Sequence, residues 1–336
     1  MSYITIDNIN SINAELSNYC NAACPMCARY DWGIELVKGK TNSHNTSLEL
    51  IQNKVGIDII SRLKNFYSCG TYGDGAINPE CLEIFEYIRK NNKNVSLTLH
   101  SNGGARNKEF WQELAKLGVN VVFAIDGLEN TNHLYRRNVL WIKLMENVQS
   151  YIKNGGIASW SMLIFKHNQN QINEARDFAK TLGFKNFSTR FSGRWSDFDS
   201  SGTYRNINKL KVGDYYIEKP EAQPTKVSAI NDVIKFDRKI LTDDFKTKKI
   251  ICASCSNGIN EIYLMANGYV SPCCYIGDLD QHEPKNIIKD YKKVNLNYTS
   301  LKEILESDFF KELENGIAGK EDSYRLQSCY YTCGRD

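Results

Sequence analysis

Three cysteines, Cys20, Cys24 and Cys27, stand in the run Cys-Asn-Ala-Ala-Cys-Pro-Met-Cys, a Cys-x3-Cys-x2-Cys spacing. Three thiolates on one short loop ligate three irons of a cubane [4Fe–4S] cluster and leave the fourth iron open. A small molecule can chelate an open iron, so such a cluster is a chemical device. A zinc ion would need a fourth protein ligand, and no further Cys or His stands near this loop. A second set lies towards the C-terminus, where Cys252, Cys255, Cys273, Cys329 and Cys333 offer five thiols for the four positions of another cluster. A zinc ribbon built on Cys252-x2-Cys255 is the competing use of that set. Cys274 points away from a ligand position if its segment is extended, and Cys69 and Cys81 read as ordinary buried residues.

Grouped thiols mean different things in different compartments. The N-terminal stretch lacks a basic run followed by an apolar one, so the chain is expected in the reducing cytoplasm. There, the eleven cysteines of this 336-residue chain serve metal or cluster ligation better than disulfides. No run of about 18 apolar residues exists, which argues against a membrane span. The net charge of +3, from 42 Lys and Arg against 39 Asp and Glu, is too small to argue for nucleic acid as a partner. A length of 336 residues allows a large core with a small second domain.

The elements that must position these residues follow from periodicity. Short apolar runs mark strands at 12–16, 65–68, 95–100, 119–125, 159–165 and 187–191, and helical patterns separate them. Asn78-Pro79 reads as an N-cap with proline at the first helical position, opening a helix over 79–90. Ile172, Ala175, Ala179 and Leu182 share one helical face over 170–182, and Gly183 stands where that helix should stop. Six strands alternating with helices predict an α/β fold with a parallel sheet and right-handed crossovers. The region 193–248 breaks this pattern and is expected to bridge, with one short helix. Beyond it, Asn267-Gly268 predicts a hairpin of 261–265 with 269–272. Ser300-Leu301-Lys302-Glu303 is a capping box opening a helix that turns Leu301, Ile304, Leu305 and Leu313 inward.

Four short segments behind successive strands, in order after the cysteine loop, resemble the radical S-adenosylmethionine (SAM) superfamily. Gly70-Thr71-Tyr72-Gly73-Asp74-Gly75 is similar to that family's Gly-Gly-Glu-Pro segment, with Tyr72 in place of a glycine and Asp74 in place of the glutamate. Ser101-Asn102-Gly103 resembles its Thr-Asn-Gly segment, and Ala124-Ile125-Asp126-Gly127 its Ser-Ile-Asp-Gly segment. His133-Leu134-Tyr135-Arg136 resembles the segment whose arginine pairs with the SAM carboxylate, with Arg137 as an immediate competitor. Taken singly each segment could be a turn. Farther on, Cys255, Gly268 and Cys273 in the order Cys-x12-Gly-x4-Cys resemble the auxiliary-cluster extension called SPASM, or its shortened twitch form.

The resemblance implies a partial (β/α)6 radical SAM barrel over 1–192, a bridging region over 193–248, and a small α+β twitch (SPASM-like) iron–sulfur domain over 249–336. It implies Cys20, Cys24 and Cys27 as ligands of the SAM-binding [4Fe–4S] cluster. Met26, Gly73, Asp74, Ser101, Asn102, Asp126 and Arg136 would lie against SAM. Four of Cys252, Cys255, Cys273, Cys329 and Cys333 would hold one auxiliary [4Fe–4S] cluster. The implied reaction is reductive cleavage of SAM to a 5′-deoxyadenosyl radical that takes hydrogen from a substrate, with electrons from a donor such as flavodoxin or ferredoxin. Relatives with this extension modify peptide or protein side chains, as the anaerobic sulfatase-maturating enzymes do. Others oxidise small metabolites, as the aminocyclitol dehydrogenase of butirosin biosynthesis does. A peptide substrate is the first expectation and a small molecule the second. With its first strand near residue 12, the chain is expected to dock a peptide on the catalytic body or on a separate protein. A non-catalytic iron–sulfur or zinc-binding module is the rival of a different class. No catalytic side chain is singled out.

Overall fold

The structure is a computed structural model that describes residues 4–31, 35–36, 44–198, 204–221, 249–250, 260–276, 288–317 and 334–335. Its centre is one sheet. Strands β1 (Ser11–Ala14), β2 (Asn65–Ser68), β3 (Ser96–Ser101), β4 (Val119–Ala124), β5 (Ala158–Ile164) and β6 (Asn186–Phe191) lie side by side in chain order, every pair parallel. These are the six expected strands, shifted by a residue or two at their ends. They build the α/β parallel sheet of the partial barrel.

The sheet's two faces differ, and the sequence says why. Leu97 and Leu99 of β3, Val121 and Phe123 of β4, and Trp160 and Met162 of β5 are fully buried on one face. Helices α1 (Cys81–Asn91), α2 (Lys108–Lys116), α3 (Trp141–Lys153) and α4 (Ile172–Leu182) pair their apolar stripes with such strand residues in a single core. The alternate residues, among them Thr98, His100, Val122, Ala124, Ser159 and Ser161, keep part of their surface accessible. A parallel sheet covered on both faces would read as continuous apolar runs. Here the strict alternation leaves the inner face open and mostly polar. A cavity of about 240 Å³ at the strand beginnings, lined by Ser11, Asn65, Tyr67, Ser96, Thr98 and Glu261, belongs to that open face.

One local expectation is altered by tertiary contacts. Helix α1 begins at Cys81, not at Pro79. Asn78 serves the loop instead, accepting from the Glu80 amide at 2.8 Å and donating to the carbonyls of Leu16 and Thr46 at 2.7 Å each. Burying the side chain there costs little because each of these polar groups finds a partner. In the bridging region the described residues form two short hairpins, Ser196–Phe198 with Tyr204–Asn206 and Lys209–Val212 with Tyr215–Glu218. Residues 222–248 lie outside the described residues.

The C-terminal hairpin does more than the sequence foretold. Strands β7 (Glu261–Leu264) and β8 (Val270–Ser271) pair antiparallel around Gly268, whose φ of +90° suits glycine. Strand β7 then adds to the free edge of β1 in parallel, from Ser11 opposite Glu261 to Ala14 opposite Leu264. The single sheet therefore runs β8-β7-β1-β2-β3-β4-β5-β6. The expected capping box is present at Ser300 and Glu303. Leu301, Ile304, Leu305 and Leu313 are buried as expected, on two helices, α5 (Leu301–Leu305) and α6 (Asp308–Ile317).

Candidate cluster and cofactor site

The cysteine loop leaves the C-terminal end of β1, where the ends of parallel strands expose their ligand-binding loops. A turn closes it, the Cys27 amide donating to the Cys24 carbonyl at 3.0 Å. Arg29, almost fully buried, donates to the Cys20 carbonyl at 3.2 Å, and the Ala23 amide donates to the Arg137 carbonyl at 3.0 Å. Burial, followed by the nearby Asp74 carboxylate and Cys24, pushes the Cys20 thiol up to about 12. Burial pushes Cys24 up to about 11 despite the opposing Arg136 guanidinium. Thiols so placed ionise only beside a strongly positive partner such as bound iron. The three cysteines sense one another's charge, yet among the described residues no three of His, Cys, Asp and Glu stand where they could hold a single metal ion. An all-sulfur set spread around a small volume fits a cluster, whose ligands bind different irons. It does not fit zinc.

Two acidic residues flank the loop. Asp74, fully enclosed, accepts through Oδ2 from Ser101 Oγ at 2.9 Å, from the Asn102 amide at 2.8 Å and from Asn102 Nδ2 at 2.7 Å. Its Oδ1 accepts from the Ala76 amide at 3.1 Å. Burial raises its pKa, and these donors pull it back only in part. Asp74 thus locks the end of β2 to the end of β3. Asn102 reaches on to the cysteine loop, with Nδ2 at 2.9 Å from Asn21 Oδ1 and 3.6 Å from Cys20 Sγ. Gly73 packs against the Ser17–Asn18 backbone so closely that a Cβ would collide with it.

On the other flank Asp126, at the end of β4, pairs with Arg136 Nε through Oδ2 at 2.6 Å. Its Oδ1 accepts from the Leu163 amide at 2.6 Å. Burial raises Asp126, with Arg136 opposing; Asp126 in turn, against burial, holds Arg136 firmly charged. Arg136 Nη1 stands 3.5 Å from Cys24 Sγ. The neighbouring Arg137 is exposed, so of the two competitors Arg136 is the one that faces the loop. Met26 is buried beside the cysteines, and its carbonyl accepts from Arg194 Nη1 at 3.2 Å.

Sequence reasoning passed over several residues here. Arg29 and Arg194 hold the loop's backbone, and nothing in their local pattern separates them from surface arginines. Glu15, one residue past β1, is enclosed and accepts from the Tyr72 amide at 2.6 Å. It also takes bonds from the Thr71 and Ala266 backbone and from Tyr263, and burial still lifts it to about 7. A lone glutamate between two apolar residues in a strand-like run was the available signal. Cys81 is core as expected, whereas Cys69 lies half-buried on the open inner face. Of the second cysteine set, Cys273 is half-buried just after β8, and Cys274 begins a short 3-10 turn beside it. Cys252, Cys255, Cys329 and Cys333 lie outside the described residues.

Two family models match this chain. One is the radical SAM superfamily, over residues 14–179; the other is SPASM, an iron–sulfur cluster-binding domain, over residues 252–334. No curated protein matches it. Among solved structures, anSMEcpe with bound AdoMet has a TM-score of 0.55 at 13% identity, covering 90% of this chain and 78% of that one. Streptococcus suis SuiB bound to its precursor peptide SuiA has a TM-score of 0.55 at 14% identity, covering 96% and 76%. AnSMEcpe with AdoMet and the Cp18Cys peptide gives 0.54 at 14%, covering 96% and 88%. Likeness at such identities is likeness of fold. Among the described residues no helix is long and apolar enough to cross a membrane. The chain belongs to the radical SAM superfamily, with a [4Fe–4S] cluster and SAM as cofactors and a SPASM iron–sulfur domain following the barrel.

Proposed function

We propose that Cys20, Cys24 and Cys27 hold the SAM-binding cluster of a peptide-modifying radical enzyme. The supporting observation is that the end of β3 and the loop that follows β4 converge on the cysteine loop, Asn102 at 3.6 Å from Cys20 Sγ and Arg136 at 3.5 Å from Cys24 Sγ. When bound, the cluster and SAM together supply a 5′-deoxyadenosyl radical that removes a hydrogen atom from the substrate. The chain's own residues bind and orient. Arg136, fixed by Asp126, offers its guanidinium edge to the SAM carboxylate. Asp74, fixed by Ser101 and Asn102, stands with Gly73 where the SAM amino group is to be held. Met26 walls the loop.

Four of Cys252, Cys255, Cys273, Cys329 and Cys333 hold the auxiliary cluster, within the domain division 1–192, 193–248 and 249–336. A peptide substrate is supported by SuiB and anSMEcpe, which share this fold and have been solved with bound peptides. A flavodoxin- or ferredoxin-type donor supplies the electron in the cytoplasm. The test is anaerobic reconstitution with iron counting and assay of reductive SAM cleavage. Wild-type protein is expected to carry about eight irons, and replacing Cys20, Cys24 and Cys27 together by Ala removes about half of them and all SAM cleavage. Stoichiometric zinc, or SAM cleavage that survives the triple substitution, would overturn the reading.

A further inference from the structure

We propose that the open inner face of the barrel carries a carboxylate-binding subsite built on Arg190, which holds the substrate by an acidic group. The proposal rests on the reading that SAM is cleaved at the strand ends above this face.

The register fixes where Arg190 points. It stands opposite Leu163 on β5, whose neighbours Met162 and Ile164 are buried on the helix-covered face. Leu163 and Arg190 are therefore on the inner face, on the row of Asp126, since the Leu163 amide donates to Asp126 Oδ1. His100 stands on the same face of β3, opposite Val122 on β4. His100 lies on the row of Val122, Ser159 and Asn186, nearer the strand beginnings than Arg190, and the inner face between the two carries Val122, Ala124, Ser159, Ser161 and Leu163. The Arg190 charge nevertheless reaches across this face. It counts among the influences on both Cys69, one residue past β2, and His100 of β3.

Among the described residues, the Arg190 side chain makes no hydrogen bond and no ion pair, and the residue is exposed on this face. The face's carboxylates are engaged elsewhere. Glu261 accepts from Ser11 Oγ at 3.1 Å and from Tyr67, and Glu15 accepts from the Tyr72 amide at 2.6 Å. Burial, with the Arg190 charge, lowers His100 to about 4, so its ring is a neutral hydrogen-bonding group near pH 7. A guanidinium is a planar fork of donors that matches a carboxylate in two parallel bonds. An exposed fork on the inner face, level with Asp126, is suited to an acidic side chain or the C-terminal carboxylate of a peptide.

The test uses anaerobically reconstituted full-length protein with SAM and two probe peptides, acetyl-Ala-Glu-Ala-amide and acetyl-Ala-Gln-Ala-amide. Binding is read by saturation-transfer NMR, and uncoupled 5′-deoxyadenosine formation is measured in parallel. Wild type is expected to bind the Glu peptide ~10-fold tighter than the Gln peptide, the scale of one charge-assisted pair. Arg190→Met should abolish that preference and Arg190→Lys should keep part of it, with uncoupled SAM cleavage and iron content unchanged in both. Equal binding of the two peptides by wild type, or an undiminished preference in Arg190→Met, would overturn the proposal. So would Arg190→Met protein that keeps the preference but loses SAM cleavage, because Arg190 would then serve SAM. A wild type that cleaves no SAM yet prefers the Glu peptide would sink the radical reading and leave the subsite standing.

Discussion

Arg136 carries two burdens that mutation can separate. Its guanidinium neutralises Asp126, whose side chain has no exposed surface, at 2.6 Å, and it also faces Cys24 at the proposed SAM position. Removing one partner of a buried pair leaves the other charge uncompensated, an effect on the order of 3 kcal/mol. Arg136→Ala is therefore expected to lower the unfolding midpoint and to weaken SAM binding at least ~10-fold. Adding Asp126→Asn removes the stranded charge while keeping an acceptor for the Leu163 amide, so it should restore part of the stability. It should restore none of the SAM affinity. Thermal unfolding and SAM titration of the two single variants and the double variant close this cycle. Restored SAM binding in the double variant would mean that Arg136 acts only by neutralising Asp126. The sequence marked both residues but not their bond, because a ten-residue separation across a short helical turn encodes no pairing by itself.

At the scale of elements, the strands were legible as short apolar or alternating runs between helical patterns, as Leu97 and Leu99 alternate with Thr98 and His100 in β3 and residues 121–124 run on in β4. The attachment of β7 to β1 was not. Asn267-Gly268 encodes a turn locally, whereas the pairing of Glu261–Leu264 with Ser11–Ala14 joins residues 250 apart and leaves no local signature. Glu15 sits at this junction, bonded to the Thr71–Tyr72 loop on one side and to Ala266 of the hairpin turn on the other. It clasps the SAM-side loop to the C-terminal hairpin.

That clasp has a signed pH dependence. The Glu15 folded-state pKa is about 7 against an ordinary 4.5. Across that interval the unfolded chain has already lost a proton that the folded chain still holds. Stability from this group is full below the ordinary value and falls as pH rises towards 7. Between pH 6 and pH 8 wild type should lose about 1 kcal/mol that Glu15→Gln does not lose. The comparison of unfolding midpoints at the two pH values isolates Glu15, because every other titrating group is common to both proteins. An identical pH response in wild type and variant would show that Glu15 is ionised throughout.

For the whole molecule, the hairpin's place in the barrel sheet determines what loss of the auxiliary cluster can do. The sequence marked the hairpin and five C-terminal thiols as candidates, but five candidates for four positions cannot be sorted by spacing alone, since cluster ligation depends on contacts between distant loops. Cys273 follows β8 directly, and β8 is held through β7 to β1. The ladder pairs and the buried side chains Ile262, Leu264 and Val270 anchor this hairpin without help from a metal. Replacing Cys273 and Cys333 by Ala should then cost about half the iron and lower the stability of the segments after β8, where metal-binding energy contributes to folding. The barrel, its cluster and uncoupled 5′-deoxyadenosine formation should survive, because the cysteine loop, Asp74 and Arg136 depend on β1 to β4 and not on those segments. Substrate turnover should stop. Soluble yield, iron content and uncoupled SAM cleavage must be measured on the same preparation, since general unfolding would remove all three together. A soluble double variant that retained the SAM cluster and turned over its substrate at the wild-type rate would assign the auxiliary cluster a purely structural role.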